Sequence, residues 1–311
     1  MTQTWLPADR SRSRRRRVRA YLQLMRFPAV FTALADILLG FLLTHVDLSS
    51  TVDFLALLGS SSGLYLGGMV FNDLFDRELD ARERPGRPIP SGGISPRAAA
   101  ILGSALVLLG LVCATLVGTQ AIEVSVVLVG LILAYDGFLK TTPLGPVAMG
   151  GCRFLNVMLG ASAAGNVVWN NPQFVVALAM GVYVAGVTWF ARQESERSAR
   201  PQLVAAAVTS HAGVAGLIAI MWTIRKSDSQ SAWLAIAALA CVTAWVDIRL
   251  FAAMQEPAPR SVQAAVKRML LAIVLLDATM VFFSTGSPIL AACVAALVIP
   301  AATLGRWIFI T

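Results

Sequence analysis

Apolar runs of about twenty residues recur along this chain from one end to the other, and no other feature limits its fold so strongly. The runs show no alternation of polar and apolar residues, so they read as helices rather than strands. In hydrocarbon only helices and closed barrels satisfy every backbone polar group, and continuous runs of this length select the helix. Hydrophobic residues make up 57% of the 311 residues and charged residues 14%, and mean hydropathy is +0.72. That is too little charge for a soluble chain of this size. The spans read as 26–45, 52–72, 97–117, 120–138, 146–165, 173–191, 203–223, 231–253, 265–284 and 287–308. The expected architecture is all-α: a polytopic transmembrane bundle of nine core helices with a possible tenth. Only Ser284-Thr285-Gly286-Ser287-Pro288 separates the last two spans. Residues 1–21 read as a disordered basic arm and 22–311 as a single transmembrane domain.

Charge orients the bundle. The arm holds Arg10, Arg12, Arg14, Arg15, Arg16, Arg17 and Arg19, which suits anionic headgroups. The apolar stretch after it is long and has no convincing cleavage site, so it reads as a retained first helix. With the N-terminus cytoplasmic, only Arg225 and Lys226 of the 25 lysines and arginines fall outside. This asymmetry predicts a multi-pass protein of the cytoplasmic (inner) membrane with its N-terminus inside. It also accounts for the net charge of +8 without a nucleic-acid partner. Cys113, Cys152, Cys241 and Cys293 lie in or beside apolar segments without CxxC spacing and read as small apolar side chains. His45 and His211 are isolated, which argues against a histidine metal site.

Against this apolar background stands Phe71–Gly92, FNDLFDRELDARERPGRPIPSG, with five carboxylates and four arginines. If the preceding helix continues, Asp73, Asp76 and Asp80 fall at i, i+3 and i+7, with Asn72 four residues before Asp76. Helical neighbours three and four apart share a face. Three carboxylates on one face repel unless a cation or protons neutralise them. Hard oxygen donors suit Mg²⁺, which binds through one or two carboxylates plus substrate phosphates. The arginines just downstream, Arg84 and Arg87, supply paired donors for the same phosphates. The blander alternative is a solvated loop.

Other features fall on the same side of the membrane. Arg26-Phe27-Pro28 opens the first helix, with Asp36 deeper in it; an acid inside a span is a functional candidate. Tyr135-Asp136-Gly137-Phe138-Leu139-Lys140 precedes a helix carrying Arg153 and Asn156 one turn apart. Glu194 and Glu196 close the sixth span, with only Glu194 aligned on Ser198. Asp247 and Asp277 are single acids in the eighth and ninth spans.

The pattern Asn72-Asp73-x-x-Asp76-x-x-x-Asp80, followed by Arg84 and Arg87-Pro88-Ile89-Pro90-Ser91-Gly92, resembles the first signature of the UbiA superfamily of intramembrane prenyltransferases. Arg26-Phe27-Pro28 and the Tyr135–Lys140 segment sit where that family has its own conserved regions. The likeness runs over about residues 22 to 284. The run Gly151–Ser162, GCRFLNVMLGAS, is similar to the EboC-like branch. The resemblance implies a central cavity open to the cytoplasmic side and Mg²⁺ held by two aspartate-rich motifs. It implies a polyprenyl diphosphate donor and a small acceptor, often aromatic. Carried over, Asp73, Asp76, Asp80 and Lys140 form the catalytic set, and Asn72, Arg84, Arg87, Tyr135, Arg153, Asn156 and Asp36 bind substrates. By the same resemblance the metal ligands would be Asp73, Asp76 and Asp80 with Glu194 and Glu196. Asp36, Asn156 or Asp136 would orient the acceptor or take its proton. The second motif departs from the family's aspartates, with Glu194, Glu196 and Ser198 in its place. Two competing readings follow: a transporter using Asp36, Asp247 and Asp277, and an inactive relative that only binds a prenyl lipid. Oligomeric state is not legible in one sequence.

Overall fold

The expected spans appear as long helices with ends shifted by a few residues. The protein is described here by a computed structural model covering residues 10–45, 47–48, 50–169, 172–192, 198–224 and 230–308. Every regular element among them is helical. The order is α1 (Arg10–Leu24), α2 (Val30–Thr44), α3 (Thr51–Phe75), α4 (Arg77–Glu83), α5 (Pro96–Val117), α6 (Thr119–Gly137) and α7 (Gly145–Ala161). It continues with α8 (Gln173–Ala191), α9 (Arg200–Ile224), α10 (Gln230–Gln255), α11 (Pro259–Thr285), α12 (Pro288–Ala296) and α13 (Val298–Ile308). Short 3₁₀ turns at Phe27–Ala29, Leu139–Thr141 and Ser162–Trp169 join them.

Nine segments among the described residues are long and apolar enough to cross a membrane, and the 27-residue α11 runs between the last two of them. Helix starts follow local chemistry. Ser95 Oγ accepts from the Ala98 amide at 3.2 Å ahead of Pro96, and Ser287 Oγ accepts from Leu290 ahead of Pro288. Both caps satisfy an otherwise orphaned helical amide. α11 stops at Gly286, whose φ of 68° suits a residue without Cβ. The tenth span is broken into α12 and α13 around Leu297. Pro300 explains the break, since it lacks an amide hydrogen and crowds the carbonyl four residues back, that of Ala296.

Small residues let the helices approach closely. α2 crosses α7 where Gly40 meets Gly160: a Cβ at Gly160 would lie 2.6 Å from the Ile37 carbonyl oxygen. α3 lies along α5 where Gly63 meets Gly110, with 2.8 Å from a Gly63 Cβ to the Gly110 nitrogen. Exposed leucines and valines such as Leu108, Leu116, Val126 and Val127 cover the outside of α5 and α6. That much outward apolar surface fits a lipid environment.

α1 departs from the expected disordered arm: Arg10–Leu24 is helical, and residues 1–9 lie outside the described residues. The ordering has a packing cause. Leu24 is buried with Val70 of α3, Ile89 and Ile94 of the following loop and Ala99 of α5, and Ala20, Tyr21 and Met25 pack against them. This small second core fixes α1 and the loop after α4 against the end of α3. α3 is 25 residues long, about 37 Å of helix against a hydrocarbon core of about 30 Å. Its last turn therefore reaches the interface. Gly160→Val would force backbone apart at the α2–α7 crossing and is expected to cost about 3 kcal/mol of stability in detergent. Gly130→Ala, at a helical position with open space around it, should gain about 0.5 kcal/mol; thermal unfolding of both checks the crossing.

Candidate active site

The acidic stretch begins as the last turn of α3 and continues as α4. The helical hydrogen-bond ladder persists across the junction, from the Asp76 amide to the Asn72 carbonyl at 3.0 Å and from the Asp80 amide to the Asp76 carbonyl at 2.8 Å. Asp76 itself leaves the helical region, with φ −83° and ψ 0°. The expected single face of three carboxylates is therefore split. Asp73 and Asp80 converge, and Asp76 turns toward the Leu139–Thr141 turn.

Each aspartate meets a cation from another segment. Arg87 Nη1 donates to Asp80 Oδ2 at 2.6 Å and lies 3.3 Å from Asp73 Oδ1. Arg26 Nη2 donates to Asp73 Oδ1 at 3.0 Å and to Asn72 Oδ1 at 3.1 Å. Lys140 Nζ donates to Asp76 Oδ1 at 2.6 Å. Asn72 Nδ2 in turn donates to Asp136 Oδ1 at 2.7 Å, tying α3 to the end of α6. The side chains of Asp73 and Asp80 are only 6% exposed, so their charges need these partners. Burial works against the charge on Arg26, but the charge and hydrogen bond of Asp73, with Tyr65 and Asp136 adding to them, together raise the guanidinium pKa. Tyr135 is half-buried within electrostatic reach of Asp136, Arg26 and Asp76.

Among the described residues no three acidic, histidine or cysteine side chains gather as a ready metal cluster. The carboxylates are neutralised by bases instead. Arg84 is exposed at the end of α4 and enters none of these contacts. Glu194 and Glu196 lie outside the described residues. At the end of α8, Arg192 donates to the Thr141 carbonyl at 3.1 Å, next to Lys140.

Arg153 and Asn156 do not join this cluster. They form a second one inside the bundle. Arg153 donates to Asp36 and to the Thr32 carbonyl. Asn156 donates to Asp36 at 2.8 Å and to the Ala33 carbonyl at 2.9 Å, and accepts from Ser61 at 2.7 Å. Tyr65 of α3 stands between the clusters, within electrostatic reach of Arg26, Arg153 and Asp36. Asp277 on α11, fully buried, lies within electrostatic reach of Asp36 and Arg153. Asp247 of α10 pairs with His211 of α9 at 3.1 Å. Sequence reasoning singled out Arg26 without giving it a place in the acidic site. Its one signal was an arginine at the mouth of the first span.

The whole is a membrane-embedded helical protein with a charged site at one end of its bundle and a second polar cluster within. The chain belongs to the UbiA prenyltransferase family, whose profile matches residues 33–271. A digeranylgeranylglyceryl phosphate synthase of Methanothrix thermoacetophila is 39% identical over 99 residues, 32% of this chain and 37% of that protein. The mitochondrial 4-hydroxybenzoate polyprenyltransferase of Saccharomyces cerevisiae is 26% identical over 216 residues, 68% of this chain and 56% of that protein. The chain spans about half the length of the curated relatives it matches, from 37% to 53% for four of the synthases. A solved structure described as giving insights into digeranylgeranylglyceryl phosphate synthase in membranes aligns with a TM-score of 0.65 at 19% identity, over 87% of this chain and 99% of that one. A UbiA homologue from Archaeoglobus fulgidus, solved bound to GPP and Mg²⁺, aligns with a TM-score of 0.58 at 16% identity, over 84% and 99%. These structural likenesses establish the fold.

Arg87→Met removes the base that Asp73 and Asp80 share. It is expected to lower stability by about 2 kcal/mol, less than for a fully sealed pair because Arg87 is 22% exposed. Adding Asp80→Asn to that variant should recover part of the loss in a thermal-denaturation cycle.

Proposed function

We propose that this protein transfers a prenyl group from an allylic diphosphate to a small, electron-rich acceptor inside the membrane. The observation that carries the donor half is the meeting of Asp73 and Asp80 on one guanidinium nitrogen. Two hard oxygen donors that reach a single cation fit Mg²⁺, with Asn72 beside them. Mg²⁺, when bound, supplies Lewis-acid charge stabilisation for a departing diphosphate. Asp73 and Asp80 would hold it, with Asp76 and then Glu194 or Glu196 as the further candidates.

The chain's own residues do the rest. Arg87, Arg26 and Lys140, released from the carboxylates, become donors for the diphosphate oxygens, and their charge favours scission of the allylic C–O bond. Asn72 stays anchored by Asp136. Apolar helix walls hold the isoprenoid and keep water from the allylic cation. Tyr135 offers its ring to that cation. The acceptor is supported only by class. One relative is named for a glyceryl phosphate product and another for a hydroxybenzoate acceptor. The charge asymmetry supports a site facing the cytoplasm, in the inner membrane.

Geranyl diphosphate with Mg²⁺ should raise the melting temperature of detergent-purified protein. At about a hundredfold excess over Kd the added stability is about 2.7 kcal/mol. The shift should need the metal and vanish in Asp73→Asn and Asp80→Asn, and Glu194→Gln reports whether the second motif takes part. A folded protein that shows no shift with several prenyl chain lengths contradicts the proposal.

A further inference from the structure

A pair of arginines stands on the outer side of α10 and α11, away from the acidic site. Arg268 of α11 donates from Nη1 to the Trp245 carbonyl of α10 at 2.8 Å, and its Cζ lies 4.8 Å from the centroid of the Trp245 ring. A hydrogen bond and a cation–π contact thus hold this guanidinium at one place on α10. In an α-helix each carbonyl points at the amide four residues on, so the bond to Trp245 sets Arg268 beside Arg249. The two charges repel. Arg249 is exposed and hydrogen-bonds to nothing among the described residues. The nearest acid in sequence, Asp247, is committed to His211 of α9. Elsewhere the structure answers its gathered arginines with carboxylates, at Asp73, Asp80 and Asp36. Here, among the described residues, no carboxylate pairs with either one.

Depth says what the missing anion is. α10 and α11, of 26 and 27 residues, are each about 40 Å long, against a hydrocarbon core of about 30 Å. Arg268 lies about 14 Å of helix beyond Pro259, just inside the edge of the hydrocarbon, and Arg249 is one turn nearer the headgroups. The α10–α11 turn is at the same end of the bundle as the acidic site: the Ser198 amide donates to the Pro257 carbonyl at 3.3 Å, and Arg192 closing α8 reaches the turn that carries Lys140. Ile248, Phe251 and Leu270 around the arginines are exposed, so the pair opens sideways onto lipid. We propose that Arg249 and Arg268 bind the phosphate diester of an anionic phospholipid. Their N–H groups give its oxygens charge-assisted hydrogen bonds. Trp245 belongs at headgroup level, and the exposed apolar side chains meet the acyl chains. The phosphate brings the negative charge that two repelling guanidiniums lack.

Native mass spectrometry of the full chain in detergent, titrated with phosphatidylglycerol or phosphatidylcholine, tests this. The wild-type protein should retain phosphatidylglycerol about tenfold more tightly than phosphatidylcholine. Arg249→Gln and Arg268→Gln should each weaken phosphatidylglycerol binding about tenfold, the scale of a lost charge-assisted hydrogen bond. Arg268→Lys keeps the charge but loses the planar fork, and should fall between. Arg97→Gln is the control: it removes an exposed base from α5, which packs on α3 and α6, and should change binding less than about twofold. Arg249 bonds to nothing in the fold, so Arg249→Gln is expected to keep it, which circular dichroism verifies. Three results overturn the proposal. Phosphatidylcholine may not bind as tightly as phosphatidylglycerol, and Arg249→Gln and Arg268→Gln must not leave binding unchanged. An equal loss in Arg97→Gln would reduce the effect to general surface charge. Displacement of the lipid by millimolar inorganic phosphate would make this a site for free anions instead.

Discussion

Three carboxylates at the end of α3 and on α4 are neutralised by three cations from three other parts of the chain. Much else in the structure follows from that pairing. Buried acids do not tolerate being left alone, so Arg26, Arg87 and Lys140 must each be delivered to one small region. α1 packs against α3 and the loop after α4, which delivers Arg26 and Arg87 together. The Leu139–Thr141 turn after α6 delivers Lys140. Arg26 adopts a left-handed backbone conformation, φ 44°, unusual for a residue with a Cβ. The residue that reverses the chain between α1 and α2 is also the one that reaches Asp73. Strain at that position accompanies a charge contact of the site.

The arrangement has a chemical consequence. The bases that hold the acids in the free protein are those a diphosphate would recruit. Metal and diphosphate therefore have reason to arrive together: each compensates the group the other displaces. The deeper Asp36–Arg153–Asn156 cluster is a different kind of site. It is pinned by the close α2–α7 crossing at Gly40 and Gly160, one turn further along the same helices. Small residues there hold two polar helices at a separation where Asn156 reaches two backbone or side-chain partners on α2. Packing and polar geometry are one constraint at this crossing.

Much of this was legible before any coordinates. Apolar run lengths gave the helices because the bilayer sets that length, and the charge bias gave a consistent inside. The acidic motif was legible because helical spacing places Asp73, Asp76 and Asp80 near one another. What the spacing did not show was the departure of Asp76 from helical geometry, which sends one carboxylate to Lys140, 64 residues on. Nor did it show Arg26 meeting Asp73 from 47 residues away, or Arg153 meeting Asp36 from 117 residues away. Those contacts depend on tertiary packing, and no local pattern encodes them. The helicity of Arg10–Leu24 was missed for the same reason, since its order rests on Val70, Ile89 and Ile94 rather than on its own arginine-rich sequence.

The most direct test of the charge pairing is calorimetric titration of Mg²⁺ into the purified protein, with and without inorganic pyrophosphate. If Arg26, Arg87 and Lys140 occupy the carboxylates in the free protein, Mg²⁺ should bind weakly alone and at least about tenfold more tightly with pyrophosphate, with the reciprocal enhancement for pyrophosphate. Lys140→Ala should narrow that gap by strengthening Mg²⁺ binding alone. Equal Mg²⁺ affinity in both titrations, unchanged by Lys140→Ala, would contradict the view that these bases stand where metal and diphosphate must go.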